Sequence, residues 1–189
     1  VSENLRLGIT VALSVVAGLA LFFATPLLVT TSLFNVDQDP LKFNVIAGAV
    51  RITLLLIYLG AISLLKDVRR LFEYHGAEHK AVFAFERGEN LDVASAARQV
   101  RFHPRCGTSF LLVVVLAAIV LFAIVDAIVV RWLGALTLPL RLATHLPLIP
   151  LVGGMSYEFI RVSARHTESV LGKILVAPGL LLQRITTRE

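Results

Sequence analysis

The sequence predicts an all-α, polytopic membrane protein with about four transmembrane helices and a cytoplasmic helical hairpin between the second and third. Of the 189 residues, 57% are hydrophobic and only 16% are charged. Soluble domains are usually about 45–50% apolar and about 25% charged. The apolar residues form long runs, and a helix of about 20 residues crosses a hydrocarbon core of about 30 Å. The sequence is therefore too apolar for a water-soluble protein of this size.

Four apolar segments are candidates for the spans: residues 7–34, 43–65, 109–130 and 146–162. The first is too long for a signal peptide, and because the chain opens at Val1 rather than at a methionine, we expect a native start further upstream. The fourth is the weakest, since it contains two prolines, two adjacent glycines and Glu158. We expect it to be a kinked helix packed against protein. All four would belong to a single membrane domain over residues 1–189.

The distribution of basic residues predicts the orientation. The loop 66–108 holds eight of the 18 lysines and arginines, and the tail 163–189 is also basic. The connection between the first two spans is short and acidic. Positive loops stay in the cytoplasm, so we expect the long loop and the C-terminus to be cytoplasmic. The net charge of +5 then reflects this bias and contact with anionic membrane lipids. We expect no nucleic-acid partner, because no motif for one is present.

Two further segments are expected at the membrane surfaces. Residues 132–142 are apolar between basic positions and suit a helix on the outer surface, and residues 178–184 suit an amphipathic end on the inner surface. The chain has one cysteine, so it forms no intrachain disulfide.

The long loop is patterned as a helical hairpin. Apolar and histidine positions recur at helical spacing from Val68 to Glu86, and Gly88 ends that helix. Asp92 can cap a second helix, which ends at His103 because a residue before proline avoids the helical region. The apolar stripe of the second helix is Val93, Ala96, Ala97 and Val100. Ser109 is the expected cap of the third span.

The first helix of the hairpin carries His75, Glu78 and His79, a His-x-x-Glu-His motif. Histidines four residues apart project from one helix face, where two neutral imidazoles can bind one zinc ion. A carboxylate beside them can take a proton from a zinc-bound water, so Glu78 is the candidate catalytic base. The alternative is that both histidines only form hydrogen bonds in the core.

Three further residues are candidate ligands for a divalent metal, with zinc as the expected ion. His103 and Cys106 precede the third span, and Glu158 is expected near the inner end of the fourth. If His75, His79, His103 and Cys106 all bind, the shell is closed and the site is structural. If only three protein groups bind, a position remains for water and the site can be catalytic.

Charged residues inside the spans are expected to have partners. Arg51 in the second span and Asp126 in the third differ in predicted depth by about 6 Å at 1.5 Å per residue. We therefore predict an ion pair between them, and the alternative is that the two residues line a polar passage. Glu158 and Arg161, one turn apart, can also form a pair.

Two motifs carry a resemblance to a known family. The segments Tyr74–Lys80 and His103–Phe110, in that order and flanked by spans, resemble the YqhQ-like family of bacterial integral membrane proteins, whose function is unknown and which is often labelled a predicted metal-dependent enzyme. The likeness continues to the C-terminal tail. It implies a location in the bacterial inner membrane. Members usually begin with a glycine-rich segment containing Met-Met-Arg, which is absent here, and Leu181 stands where they usually have tryptophan.

Two functions remain open from the sequence. The first is a metal-dependent hydrolase embedded in the membrane, acting on a peptide or a lipid headgroup at the cytoplasmic face. The second is a non-enzymatic, homo-oligomeric membrane protein, channel-like or an assembly scaffold, in which the loop is a structural cap. Gly153, Gly154 and Ser156 suit the close helix packing that such an oligomer needs.

Overall fold

The computed structural model of the protein describes residues 3–165 and 169–189, and every element of secondary structure in those ranges is a helix. The elements are α1 (Glu3–Leu19), a π-helical turn (Ala20–Ala24), α2 (Thr25–Leu33), α3 (Pro40–Ile62), α4 (Lys66–Glu86), α5 (Val93–Ala97), α6 (Gly107–Leu133), α7 (Leu138–His145), a 3-10 turn (Leu146–Leu148), α8 (Ile149–Arg165) and α9 (Val170–Thr186). The all-α prediction is confirmed for these ranges. Part of the predicted tail, His166 included, lies outside them.

Three helices in the described ranges are long and apolar enough to cross a membrane: Glu3–Leu33, Pro40–Ile62 and Gly107–Leu133. They coincide with the first three predicted spans and indicate a membrane-embedded protein. The predicted fourth span coincides with α8, which has 17 residues and is shorter than the roughly 20 that a perpendicular crossing needs. A fourth crossing therefore stays a prediction.

The chain folds as two compact units. The first comprises the chain up to Leu55 together with Val115–Pro150, and the second comprises Leu56–Val114 together with Leu151–Glu189. The first contains a buried charge cluster, and the second contains the His-x-x-Glu-His motif.

The charge cluster of the first unit is centred on Asp126 of α6, which is fully buried. Its carboxylate accepts hydrogen bonds from Asn44 Nδ2 of α3 at 2.8 Å, from Arg141 Nε of α7 at 3.0 Å and from His145 Nε2 of α7 at 2.8 Å. The His145 ring also stacks on Phe122 at 4.1 Å between centroids. Three helices are therefore joined through one carboxylate, which satisfies a charge that would be costly alone in an apolar setting.

The predicted Arg51–Asp126 pair is wrong. Arg51 Nε instead donates to the carbonyl oxygen of Phe22 at 2.8 Å. Phe22 lies in the π-helical turn, where the backbone departs from the regular α-helical hydrogen-bond pattern. The position of α3 beside Asp126 is taken by Asn44, seven residues before Arg51, which is about 10 Å along a helix. The arginine that pairs with Asp126 comes from α7.

The single surface helix predicted for residues 132–142 is also wrong. Trp132 continues α6, which ends at Leu133 before Gly134 with a φ of +75°. A new helix, α7, begins at Leu138, and its Arg141 is fully buried. The prediction that Arg141 lies at the surface is wrong, because its charge pairs with the buried carboxylate of Asp126.

The helical hairpin of the second unit is confirmed at its turn. Gly88 follows α4 with a φ of +69°, a conformation that glycine adopts without steric cost. Asp92 caps α5 by accepting a hydrogen bond from Ser95 N at 2.7 Å. However, α5 ends at Ala97, well before His103. Its predicted apolar stripe is wrong, because Val93 is 87% exposed whereas Ser95 is 5% exposed.

The C-terminal residues pack on α4. The amide of Arg188 donates to the carbonyl oxygen of Phe72 at 2.9 Å. Gly76 of α4 faces the backbone of Arg188. A side-chain carbon at position 76 would collide with the carbonyl oxygen of Arg188. The amphipathic end predicted for residues 178–184 is the last part of α9, and its Gln183 is fully buried. The tail therefore turns polar groups toward the second unit's interior.

Candidate functional site

The site is centred on His75 and His79 of α4 and on Cys106, which immediately precedes α6. The two imidazole rings lie 4.4 Å apart between centroids. Cys106 Sγ lies 3.3 Å from His75 Nε2. In the described part of the chain, the ligand atoms of these three residues form a group within 4.8 Å of one another. Ligand atoms of one zinc shell lie roughly 3–4 Å apart, given Zn–N of about 2.0–2.1 Å and Zn–S of about 2.3 Å. We call this group the Cys-His-His cluster.

Both histidines of the cluster are oriented by backbone carbonyl groups. His75 Nδ1 donates to the carbonyl oxygen of Thr186 at 2.8 Å, and His79 Nδ1 donates to that of Arg101 at 2.5 Å. A carbonyl oxygen only accepts, so Nδ1 of each ring carries a hydrogen, and in the neutral form of the ring Nε2 has the lone pair. Metal-binding histidines show this arrangement, in which the second nitrogen donates to a carbonyl or carboxylate.

Cys106 lies in surroundings that favour its thiolate form. Burial alone would raise the pKa of the thiol, but hydrogen bonds with His79 and Thr108 and the nearby His75 lower that pKa to about 6. The amide of Thr108 donates to Sγ at 3.4 Å, so the sulfur accepts from the first turn of α6. Amides at a helix N-terminus stabilise a thiolate, and the thiolate is the form that binds metals. Burial acts against the charged form of His79, but its contacts with Cys106 and Arg101 raise its pKa overall.

His103 lies beside the cluster but outside the group of three ligand atoms. Its ring is 5.7 Å from that of His79 between centroids. Its Nδ1 accepts from Arg105 N at 3.2 Å, and its Nε2 lies 3.5 Å from Glu86 Oε2. Burial lowers the pKa of His103, against the attraction of Glu86.

The two glutamates predicted for the site are exposed. Glu78 lies on α4 next to His79, and its charge contributes to the raised pKa of that histidine. Glu158 lies on α8 and pairs with Arg161 at 3.4 Å, which confirms the alternative of a pair within one turn. Neither belongs to the Cys-His-His cluster. The role of Glu78 as a base stays a prediction.

The residues that support the cluster were not predicted from the sequence. Thr108 Oγ1 lies 3.1 Å from Cys106 Sγ and 3.2 Å from Thr186 Oγ1. Gln183 bonds to both the amide and the carbonyl of His103, at 2.8 and 2.7 Å, and to Ser109 Oγ at 2.9 Å. Ser109 therefore lies inside α6 as a partner of Gln183 and is not the predicted cap.

One signal in the sequence pointed to this packing. A glycine inside a helix usually weakens the helix, and it often marks a place where another part of the backbone approaches closely. Gly76, inside the motif, marks the approach of the tail at Arg188. The partner itself cannot be read from local spacing, because the tail is more than 100 residues away along the chain.

Comparisons with known proteins agree with the two motifs. A family model described as "protein of unknown function (DUF1385)" matches residues 2–189. The uncharacterized protein YqhQ of Bacillus subtilis (strain 168) is 33% identical over 144 residues, which are 76% of this chain and 43% of that protein. The chain thus spans less than half the length of this relative. No solved structure matches. The match over nearly the whole sequence confirms the resemblance drawn from the motifs: the chain belongs to the DUF1385 family.

Proposed function

We propose that the protein is a membrane-embedded, metal-dependent hydrolase in which His75, His79 and Cys106 hold a divalent ion, with zinc as the expected one. The observation that carries this proposal is the convergence of three ligand atoms, with no fourth among the residues that the structure describes, 3–165 and 169–189. Two imidazole nitrogens and one thiolate are ligands that suit zinc. Catalytic zinc sites have three protein ligands, whereas structural sites have four.

The chain's own residues would prepare the reaction. The carbonyl groups of Thr186 and Arg101 hold the imidazoles with Nε2 toward Cys106. A bound zinc ion would lower the pKa of a water molecule to about 7 and polarise the bond to be cleaved. Glu78, next to His79 and open to solvent, would accept the proton from that water and return it to the leaving group. His103 and Glu86 form a second acid–base pair at the edge of the cluster.

The location of the site follows from the predicted orientation. The cluster belongs to the basic loop between the spans at Pro40–Ile62 and Gly107–Leu133. Basic loops are retained in the cytoplasm, so we propose that the site faces the cytoplasm at the inner membrane of a bacterial cell. Its substrate would then reach it from the cytoplasm or from the inner leaflet.

Metal content and turnover test this proposal together. The protein is purified in mild detergent, its metals are measured by mass spectrometry, and hydrolysis is assayed with p-nitrophenyl phosphate, p-nitrophenyl butyrate and a quenched fluorescent casein. We expect zinc bound to the chain and turnover of at least one probe. Glu78→Gln should keep the metal and lose about 100-fold or more of the turnover, the typical contribution of a general base.

Glu73→Gln is the matched control, because Glu73 is an exposed glutamate on the same helix. It should turn over the probe like the unchanged protein. A metal-free protein, or a metal-loaded one that cleaves none of the three probes, would contradict the proposal. Equal losses in both variants would contradict the role of Glu78.

A second candidate function is a homo-oligomeric channel or scaffold. The observation that favours it is the open space around Gly153 and Gly154 on α8, where a side-chain carbon would meet nothing within 4 Å. Small residues permit close helix contacts between subunits. Particle images that show a symmetric ring around a water-filled path would support this function, and monodisperse monomers would exclude it.

A further inference from the structure

A cleft of about 530 Å³ opens beside the Cys-His-His cluster in the second unit. Its lining residues come from the start of α6 and from α8: Arg105, Cys106, Gly107, Phe110, Tyr157, Ile160, Arg161 and Arg165. Cys106 belongs both to this lining and to the cluster. A molecule in the cleft would therefore contact a residue of the proposed metal site.

The polar side of this cleft is positively charged. Three of the lining residues are arginines, and no aspartate or glutamate is among the lining residues that the structure describes. Arg161 pairs with Glu158 at 3.4 Å and Arg105 pairs with Glu86, but both glutamates lie outside the lining. Gly107, the first residue of α6, adds the partial positive charge of a helix N-terminus. Arginine groups and helix N-termini are the features that bind phosphate.

The rest of the cleft lining is largely apolar. It includes Phe110, Tyr157 and Ile160. Phe110 is in the first turn of α6, one of the helices long enough to cross a membrane. If α6 crosses the membrane, a cleft at its end would lie at the depth of lipid headgroups, where an anionic group and an apolar chain meet.

We infer that this cleft binds the phosphate group of an amphiphile and presents it beside Cys106. As an assignment of the substrate class, this inference rests on the proposed hydrolase function. The arginines Arg161 and Arg165 hold the phosphate, and the side of Phe110 and Tyr157 contacts the apolar part. A lipid headgroup and free phosphate share the phosphate chemistry. The apolar lining of the cleft would add to the affinity for a lipid but not to the affinity for free phosphate.

Binding is measured by titrating the full chain, in uncharged detergent micelles, with dioctanoyl phosphatidic acid, dioctanoylglycerol and inorganic phosphate. We expect phosphatidic acid to bind and dioctanoylglycerol, which lacks the phosphate, to bind at least tenfold more weakly. Tighter binding of phosphatidic acid than of inorganic phosphate identifies the lipid as the source. Equal binding of these two supports a phosphate site for a soluble anion. Dioctanoylglycerol binding as tightly as phosphatidic acid, or no binding of either phosphate probe, overturns the inference.

Paired variants locate the binding to the cleft. Arg161→Gln/Arg165→Gln should weaken phosphatidic acid binding at least tenfold. Arg69→Gln/Arg70→Gln removes the same charge from the exposed surface of α4. This control pair should change the affinity for phosphatidic acid less than twofold. Equal weakening in both pairs overturns the inference. Zinc content, measured on the same samples, separates the two proposals. Bound zinc without phosphate binding contradicts only the phosphate site in the cleft. Phosphate binding without zinc contradicts only the metal site.

Discussion

His75 donates its Nδ1 hydrogen to the carbonyl oxygen of Thr186 at 2.8 Å, so the last turn of α9 orients the first histidine of the His-x-x-Glu-His motif. The same threonine contacts Thr108, whose hydroxyl lies 3.1 Å from Cys106 Sγ. One residue of the C-terminal helix thereby supports two of the three candidate ligands. The end of α9 is therefore part of the candidate site.

Gly76→Ala should weaken zinc binding by about 10-fold to 100-fold, the range for loss of groups that orient metal ligands. The added carbon would collide with the carbonyl of Arg188, which displaces the tail and its bond to His75. Zinc affinity is measured by competition with a chromophoric chelator. Gly60→Ala is the control, because a side-chain carbon at position 60 would have no neighbouring atom within 4 Å. It should improve helix stability by up to about 1 kcal/mol. Unchanged zinc affinity in Gly76→Ala would refute the orienting role of the tail.

His79→Asn and Cys106→Ser should each lose bound zinc, whereas His103→Asn should keep it. The reason is that His103 already uses Nδ1 to accept the amide of Arg105. Zinc per chain is measured after dialysis against dilute chelator. Loss of zinc in His103→Asn to the extent seen in His79→Asn would show a four-ligand, structural shell and would remove the basis for catalysis.

Gln183→Leu should destabilise the second unit by about 1–3 kcal/mol for each buried group left without a partner. Gln183 bridges the amide and carbonyl of His103 and the hydroxyl of Ser109. Equilibrium unfolding in mixed micelles measures the change. Arg184→Leu alters the exposed neighbour and should stay within about 0.5 kcal/mol. An unchanged free energy of unfolding in Gln183→Leu would mean that this bridge is not formed.

Arg141→Met should lower the free energy of unfolding by about 3–5 kcal/mol, because Asp126 would keep a buried charge with fewer partners. Arg131→Met, at an exposed arginine of α6, should have little effect. Combining Arg141→Met with Asp126→Asn should recover part of the loss, since the unpaired charge is then gone. Additive losses in the double variant would show that the two residues do not interact.

The fold could be predicted wherever local physics decides it. Long apolar runs located the three helices of the described ranges that could span a membrane, and the turn at Gly88 and the cap at Asp92 followed from backbone preferences. The spacing of His75 and His79 placed both on one face of α4. These features depend only on residues within one or two helical turns.

The rest depends on contacts distant in sequence. The partner of Asp126 is Arg141, which reaches it only because α6 ends at Gly134 and α7 follows as a separate helix. Helix depth alone therefore selected the wrong arginine. Likewise, the threonines and Gln183 that support the cluster carry no periodic pattern, because their partners lie about 74 to 111 residues away along the chain.

The most direct test of the central claim is X-ray absorption at the zinc edge of the purified, zinc-loaded protein. We expect one sulfur at about 2.3 Å, two imidazole nitrogens at about 2.0–2.1 Å and one further oxygen from water. Cys106→Ser should remove the sulfur signal. A shell with three imidazole nitrogens and one sulfur, or zinc coordinated without sulfur, would contradict that claim.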